Sequence, residues 1–530
     1  MKKYIVISLI AILSAVSCTK DFRARNTNPE QATEEMLEYD NLRMGSYLSQ
    51  MMANVLPSYQ TGESEYGSAS YQVVQGLTGN IFANYEAASN AGFHQTNEYA
   101  LVADGWTKAL FEDVFERAVG PWMKADLYRE DYEVPAALAD VLKVAALHRV
   151  TDAYGPIPYS EIGKSKHVSY DAQSEVYSAM FEDLAKAIEV LTPFAQNLGK
   201  ETYMEDYDNV FYGDLTKWVQ FANTLRLRLA LRVSYANPTL FQQQAEAAIA
   251  NPLGLLTENA SLHPGAAAWE NPLYIIEYAF NDGDAKAGAT IITYMNGYSD
   301  PRRSAYFTAG DDGNFYGVRM GAELDSEYPK SKKWSKIKCT NNDPLMWMSG
   351  AESYFLCAEY YLRQGDESKA QKNYEDGIRK SFELWGANIG DYLNTTAKVG
   401  SYTDPVASGN NYSTSLTNVS VKWTSQSSRE GHLEQIITQK YIAMFPEGME
   451  AWAEFRRTGY PKVIPTKTNN SAGAIDTDVQ IRRLIYPASE SQANKENVLE
   501  GIQLLDEEAR TGSGDKGGTR VWWDKKTGNL

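Results

Sequence analysis

Apolar side chains recur along most of this chain at the three- and four-residue spacing of a helix face. The stretches that carry this period cover about 98–128, 134–152, 171–192, 214–235, 238–250, 345–364, 367–385, 429–446 and 448–457, with an earlier one from Tyr39 to Leu56. Strict alternation of the strand type is scarce, so the class is mainly α. Three blocks break the period. Residues 57–97 turn rich in Gly, Ser, Asn and Tyr, which predicts a long surface loop with short helical pieces. Residues 253–344 hold Gly, Asn, Asp and aromatics, and 386–427 are rich in Thr, Ser, Asn and Gly.

One helical pair has a tighter signature. Tyr354-x₂-Cys357-Ala358-x₂-Tyr361, then Gly365, then Ala370-x₃-Tyr374, has tetratricopeptide spacing. Large side chains interleave with Ala where two helices touch, and Gly365 permits the turn between them. Trp218-x₂-Phe221-Ala222-x₂-Leu225 repeats the first half of the pattern, followed at a distance by Ala245 and Ile249. The expected units are about 134–192, 214–250, 345–385 and 429–460, separated by insertions. An unrelated helical bundle is the alternative that spacing alone leaves open.

The N-terminus is of another kind. Lys2 and Lys3 precede an apolar run from Ile5 to Val16, too short to span a bilayer as a mature helix. Leu13-Ser14-Ala15-Val16-Ser17-Cys18 then places a cysteine directly after small residues, as in a bacterial lipobox. The reading is a signal peptide over 1–17, a lipidated Cys18 with a polar tether over 18–38, and one folded domain over 39–530. Two or three acyl chains make a stable anchor, because each buried CH₂ contributes about 0.8 kcal/mol.

The net charge of −18 excludes nucleic acid as a partner, since binding it requires clustered Lys and Arg. It also leaves tethering to the acyl anchor rather than to anionic headgroups. Beyond Cys18 only Cys339 and Cys357 occur, so disulfides do not build the fold. Cys357 reads as a small buried hydrophobe, with a Cys339–Cys357 bond as the less favoured alternative. No His-Glu-x-x-His, Gly-x-Ser-x-Gly, phosphate-binding Gly-x₄-Gly-Lys or Cys-x-x-Cys occurs, and adjacent acids arise by chance among 68 acidic residues. No catalytic centre is expected. Asp282 and Asp284 offer carboxylates to a structural Ca²⁺, but the other ligands of an EF-hand loop are missing and turn chemistry accounts for them. No cofactor or metal is expected.

Several strings are more specific than any period. They are Asp152-Ala-Tyr-Gly-Pro-Ile-Pro-Tyr-Ser-Glu161, the run from Lys217 to Arg232, Ala351-Glu352 leading into Ala358-Glu359, and Gln439-Lys440-Tyr441. Glu450-Ala451-Trp452, Arg456-Arg457-Thr458-Gly459-Tyr460-Pro461 and Arg482-Arg483-Leu484-Ile485-Tyr486-Pro487 follow in order. Together with the lipobox and the Asn26-Thr27-Asn28-Pro29 leader, they resemble the SusD/RagB family of nutrient-binding outer-membrane lipoproteins over nearly the whole mature chain. The resemblance implies a SusD-like fold, with about four tetratricopeptide-like pairs and a loop-rich ligand-binding half. It implies a lipid-anchored protein facing the cell surface from the outer membrane. It implies a SusC-like TonB-dependent transporter as partner and an oligosaccharide as cargo. A peptide cargo, or a protein-interaction scaffold without a ligand, are the alternatives.

Within this frame the motif strings read as structural. Trp218, Phe221, Leu225, Leu229 and Arg232 share a helix face, Arg226 and Arg228 are expected to pair with acids inside the fold, and Gly459 and Pro461 end a helix after Arg456-Arg457. Ligand contacts are placed by composition, on the aromatics and amides of the irregular blocks, because rings stack on sugar faces while polar groups fix orientation. The candidates are Tyr66, Tyr71, Asn80, Tyr85, Trp269, Tyr298 and Trp334.

Overall fold

In the computed structural model of the chain, the described residues are 37, 41–58, 69–264, 270–280 and 283–530. Ten helices carry the architecture. They are α1 (Leu42–Asn54), α2 (Glu133–Tyr154), α3 (Gln173–Leu198), α4 (Leu215–Arg232), α5 (Pro238–Ile249), α6 (Glu352–Arg363), α7 (Glu367–Leu384), α8 (Arg429–Ala443), α9 (Gly448–Thr458) and α10 (Lys495–Glu508). Their starts are written locally. Asp214, Asn237, Asp366 and Ser428 each accept from an orphan N–H three residues on, at 3.0–3.1 Å. Helix α3 is capped from a distance. Ala172 has no side-chain acceptor, and Glu508 at the end of α10 takes the N–H groups of Gln173 (2.8 Å) and Ser174 (3.2 Å).

Helices α2 and α3, α4 and α5, and α6 and α7 pack as antiparallel pairs, and α3 also lies along α4. Nearly all of α2 is buried, which is why its sequence is Ala- and Leu-rich all round rather than striped. The fourth pair is built differently. Helix α8 packs on α6 and α7, while α9 leaves it to lie against residues 72–80 and α2. Two small antiparallel ladders join distant segments: β1 (Glu86–Ala88) with β3 (Ala285–Ala287), and β2 (Ala260–Leu262) with β4 (Leu345–Met348).

Three stretches depart from the period-based reading. The start of 345–364 is strand β4, and the helix begins only at Glu352. Residues 98–128 are not one helix but Ala109–Val114, a π-helical turn over Phe115–Val119, and Gly120–Asp126. Pro121 cannot donate the N–H that would continue the ladder, and the backbone widens just before it. The described part of 57–97 is not a surface loop either: Gln72–Asn80 is a π-helical stretch, and Tyr71, Val74, Leu77, Ile81, Phe82 and Tyr85 are core. Its glycines serve close packing. A Cβ on Gly448 in α9 would sit 2.3 Å from Asn80 Oδ1.

The centre holds charge as well as apolar side chains. Arg228 clasps Glu352 with two bonds (2.9 and 2.6 Å), and Arg232 meets Glu454 (2.9 Å), Glu450 and Asp152 (3.2 Å). Arg457 holds Glu359 through two 2.6 Å bonds and also Glu454, and Lys440 lies 3.3 Å from Glu352 and from Glu454. These side chains come from α2, α4, α6, α8 and α9, so one buried network ties all four helical units together. Arg228 pairs with an acid as the sequence suggested; Arg226 instead bonds Gln244 (2.7 Å). Cys339 and Cys357 are both free thiols. No helix of the described residues is long and apolar enough to cross a membrane.

Candidate functional site

Cys18, Tyr66, Trp269 and Asp282 lie outside the described residues. The other expected ligand residues are packed inside the protein. Tyr71 and Tyr298 are 2% exposed, Trp334 5%, and Asn80 and Tyr85 not at all. Four of them are bonded internally: Tyr85 donates to the Tyr441 carbonyl, Tyr298 to that of Val419 (3.0 Å), Trp334 Nε1 to that of Tyr328 (2.7 Å), and Asn80 Nδ2 to Glu86 (2.7 Å), while Asn80 Oδ1 is buried without a partner. A sugar ring has no face of these side chains to stack on. Composition put them in loops, but their blocks run through the core.

Asp284 is likewise engaged, accepting from Gln72 Nε2 (2.8 Å) and Asn90 Nδ2 (2.9 Å). Among the described residues no group of three or more His, Cys, Asp or Glu is placed to hold a metal. Nearby, Glu86 and Glu277 are buried together. Burial pushes both carboxyls upward, and Glu86 furthest, because the charge of Glu277 beside it adds to the effect.

A concavity lies beyond the C-terminal end of α9. It is a half-open cavity of about 530 Å³, within the range of small-ligand sites. Helix α9 contributes Phe455, Arg456 and Thr458, and Gly459, with φ +80°, turns the chain away as the left-handed residue after the helix. Lys462, Val463 and Pro465 form the next wall, Tyr412–Leu416 and Asp478–Arg482 two more, and Arg520 and Lys526 close it from the C-terminal segment. Phe455, Leu416, Tyr412 and the exposed Val479 give it apolar surface.

Its polar side is cationic. Arg482 and Arg520 share Asp524 (2.7 and 2.5 Å), and Lys526 meets Glu430 (2.5 Å). Arg456 has no carboxylate partner. Its Nη1 donates to the carbonyls of Asp152 (2.6 Å) and Arg482 (2.9 Å), and its guanidinium stacks 3.6 Å from the Trp452 ring centre. Burial pushes Arg456 down to about 9, the charges of Arg482 and Arg232 adding to the effect while Asp152 opposes it, so it remains charged at neutral pH. Asp478 is the one carboxylate of the lining, whereas glycoside hydrolysis calls for a flanking pair. Such a cavity can hold a polyhydroxylated or anionic ligand; it has no acid–base pair to cleave one. The sequence carried part of a signal for it in Arg456 and Arg482, whose strings read as structural; Lys462, Arg520 and Lys526 carried none, because their neighbours in the cavity are distant in the chain.

A family model described as SusD-like, Susd and RagB outer membrane lipoprotein, matches residues 24–524. No curated protein matches the chain significantly. Among solved structures, a SusD homologue from Bacteroides vulgatus is 34% identical, with a TM-score of 0.85, covering 93% of this chain and 100% of its own. One from Bacteroides uniformis is 36% identical, with a TM-score of 0.83 and coverage of 92% and 100%. A homologue from Flavobacterium johnsoniae, described as chitin-binding, is 34% identical, with a TM-score of 0.84 and coverage of 92% and 100%.

Proposed function

The chain belongs to the SusD-like family of outer-membrane lipoproteins, and from that membership we propose that it captures an oligosaccharide at the cell surface and passes it to a SusC-type TonB-dependent transporter. It is a binding protein and not an enzyme in this reading. The observation that carries it is the half-open cavity beyond α9, of ligand size, walled by Phe455 and Val479 on one side and by hydrogen-bond donors on the other. Apolar faces with a few placed donors suit sugar rings. A relative of near-identical coverage and 34% identity is described as chitin-binding, which favours a saccharide over a peptide as cargo. A lipid on Cys18 would hold the body beside its partner without fixing it in the bilayer.

Calorimetry of the full chain in detergent, against neutral and acidic oligosaccharides and a peptide pool, tests the cargo. Saccharide binding with no change in chain length of the sugar supports capture. Binding of peptides alone, or hydrolysis of the sugar, would overturn it. Co-purification of a transporter through this chain tests the partner.

A further inference from the structure

The charge of the cavity beyond α9 runs against the charge of the chain. The whole protein carries −18, yet five cationic side chains and one carboxylate face this space. Asp524 and Glu430 neutralise part of that excess from behind the wall. Two cations are left over. Arg456 is 2% exposed, has no carboxylate within ion-pair distance, and its Nη2 is buried without a hydrogen-bond partner. Lys462 is exposed at the rim and is in no ion pair among the described residues; its ammonium lies 4.9 Å from the centre of the Tyr460 ring, whose other cationic neighbour is Lys526 at 4.7 Å. Cations gathered in a concavity with apolar walls attract one kind of group. A neutral sugar would leave that field unused.

We propose that this cavity takes the anionic group of an acidic saccharide, a carboxylate or a sulfate, so that the cargo is a uronic-acid-containing or sulfated oligosaccharide. The inference rests on the capture reading and narrows its substrate class. Lys462, flexible and at the rim, meets the anion first, and Arg456 supplies fixed positive charge from the wall. Arg520, held in place by Asp524, offers planar donors of the kind that match a carboxylate or sulfate, whereas Arg482 is buried behind it with its nitrogens bonded to Asp524 and to the carbonyls of Val479 and Arg456. The net charge of −18 disfavours an anionic ligand over the surface as a whole, which adds to the preference for this cavity.

Calorimetry of the full chain in detergent with tetragalacturonate, a sulfated chondroitin tetrasaccharide and chitotetraose decides the matter. The expected result is tighter binding of one or both acidic oligomers than of chitotetraose, weakening as NaCl rises from 50 to 500 mM, since the Debye length shrinks to several ångströms over roughly that range. Which acidic oligomer binds distinguishes carboxylate from sulfate. Lys462→Glu, at an exposed position whose ammonium makes no ion pair, is expected to keep the wild-type melting temperature. It should weaken the acidic ligand about fivefold, the scale of an exposed ion pair lost and reversed. Chitotetraose binding as tightly as the acidic oligomers, or a Lys462→Glu variant that binds them as wild type does, overturns this inference and leaves capture standing. Binding of none of the three overturns both.

Discussion

Arg457 shows how much of this protein depends on single buried charges. It is wholly buried and makes two bonds to Glu359 and two to Glu454. Burial penalises those carboxyls, but the guanidinium beside them outweighs it and holds Glu359 below the usual carboxylate range and Glu454 well below it. Removing Arg457 takes the bidentate partner from two buried carboxylates, leaving Glu359 with Arg363 and Glu454 with Arg232 and Lys440, and breaking such buried pairs costs about 3–5 kcal/mol. Arg457→Ala should therefore lower the urea midpoint far more than Arg226→Ala, which loses a half-buried bond to Gln244 worth about 1 kcal/mol. Equal losses would mean that the network does not hold the units together. Glu86 gives the opposite sign. A carboxyl whose folded pKa is raised contributes most stability below the unfolded value and loses it as pH rises through the folded one. Replacing Glu86 with Gln keeps a donor for Glu277 without a proton to lose. Glu86→Gln should melt close to wild type at pH 5 and above it at pH 8; a gap that does not widen with pH would count against an upward shift of the Glu86 carboxyl. The family strings were legible in the sequence because they carry these charges: Arg228, Arg232, Glu352, Glu359, Lys440, Glu450 and Arg457 all fall within them or beside them, and all join the buried network.

At the scale of elements, the helical pairs were readable and the segments that cross them were not. The 3.6-residue period marks α3, α4 and α7 because each presents an apolar stripe to a neighbouring helix, while α2, buried all round, is legible as an unbroken Ala- and Leu-rich run. Gly76, Gly79 and Asn80 suggested a loop, since the same residues that permit turns also permit two backbones to approach. Here they do the second. Helix α9 abandons α8 and lies on the stretch Gln72–Asn80, with Gly448 against Asn80 and Gly79 against Met449. A Cβ on Gly448 would fall 2.5 Å from the Asn80 backbone nitrogen, which cannot yield as a flexible side chain would. Gly459, at φ +80°, has open space around it, so Gly459→Ala costs only the left-handed strain of about 1 kcal/mol. Gly448→Ala is expected to cost about 1–3 kcal/mol or more through forced displacement, with a correspondingly lower melting temperature. The reverse order would mean that α9 has room to move away from residues 72–80.

For the whole molecule, class and helical units could be read from pattern, whereas the cavity could not. Its walls come from residues 412–416, 455–465, 478–482 and 520–526, which no local period relates; only the fold brings their cations to one place. Attachment to the membrane is a separate matter from the fold, because the described body contains no membrane-crossing helix and its acidic surface gains nothing from anionic headgroups. The capture reading assigns attachment to lipid on Cys18. At about 0.8 kcal/mol per buried CH₂, two or three acyl chains hold a protein stably. Cys18→Ala, produced in cells lacking the transporter, should incorporate no palmitate and move from the membrane fraction to the soluble one. Its oligosaccharide affinity should equal that of wild type, because residue 18 precedes the body that forms the cavity. A Cys18→Ala protein that stays with membranes through a high-salt wash would place the anchor elsewhere in the chain. One that leaves the membrane and loses its ligand as well would tie the N-terminal segment to the binding site.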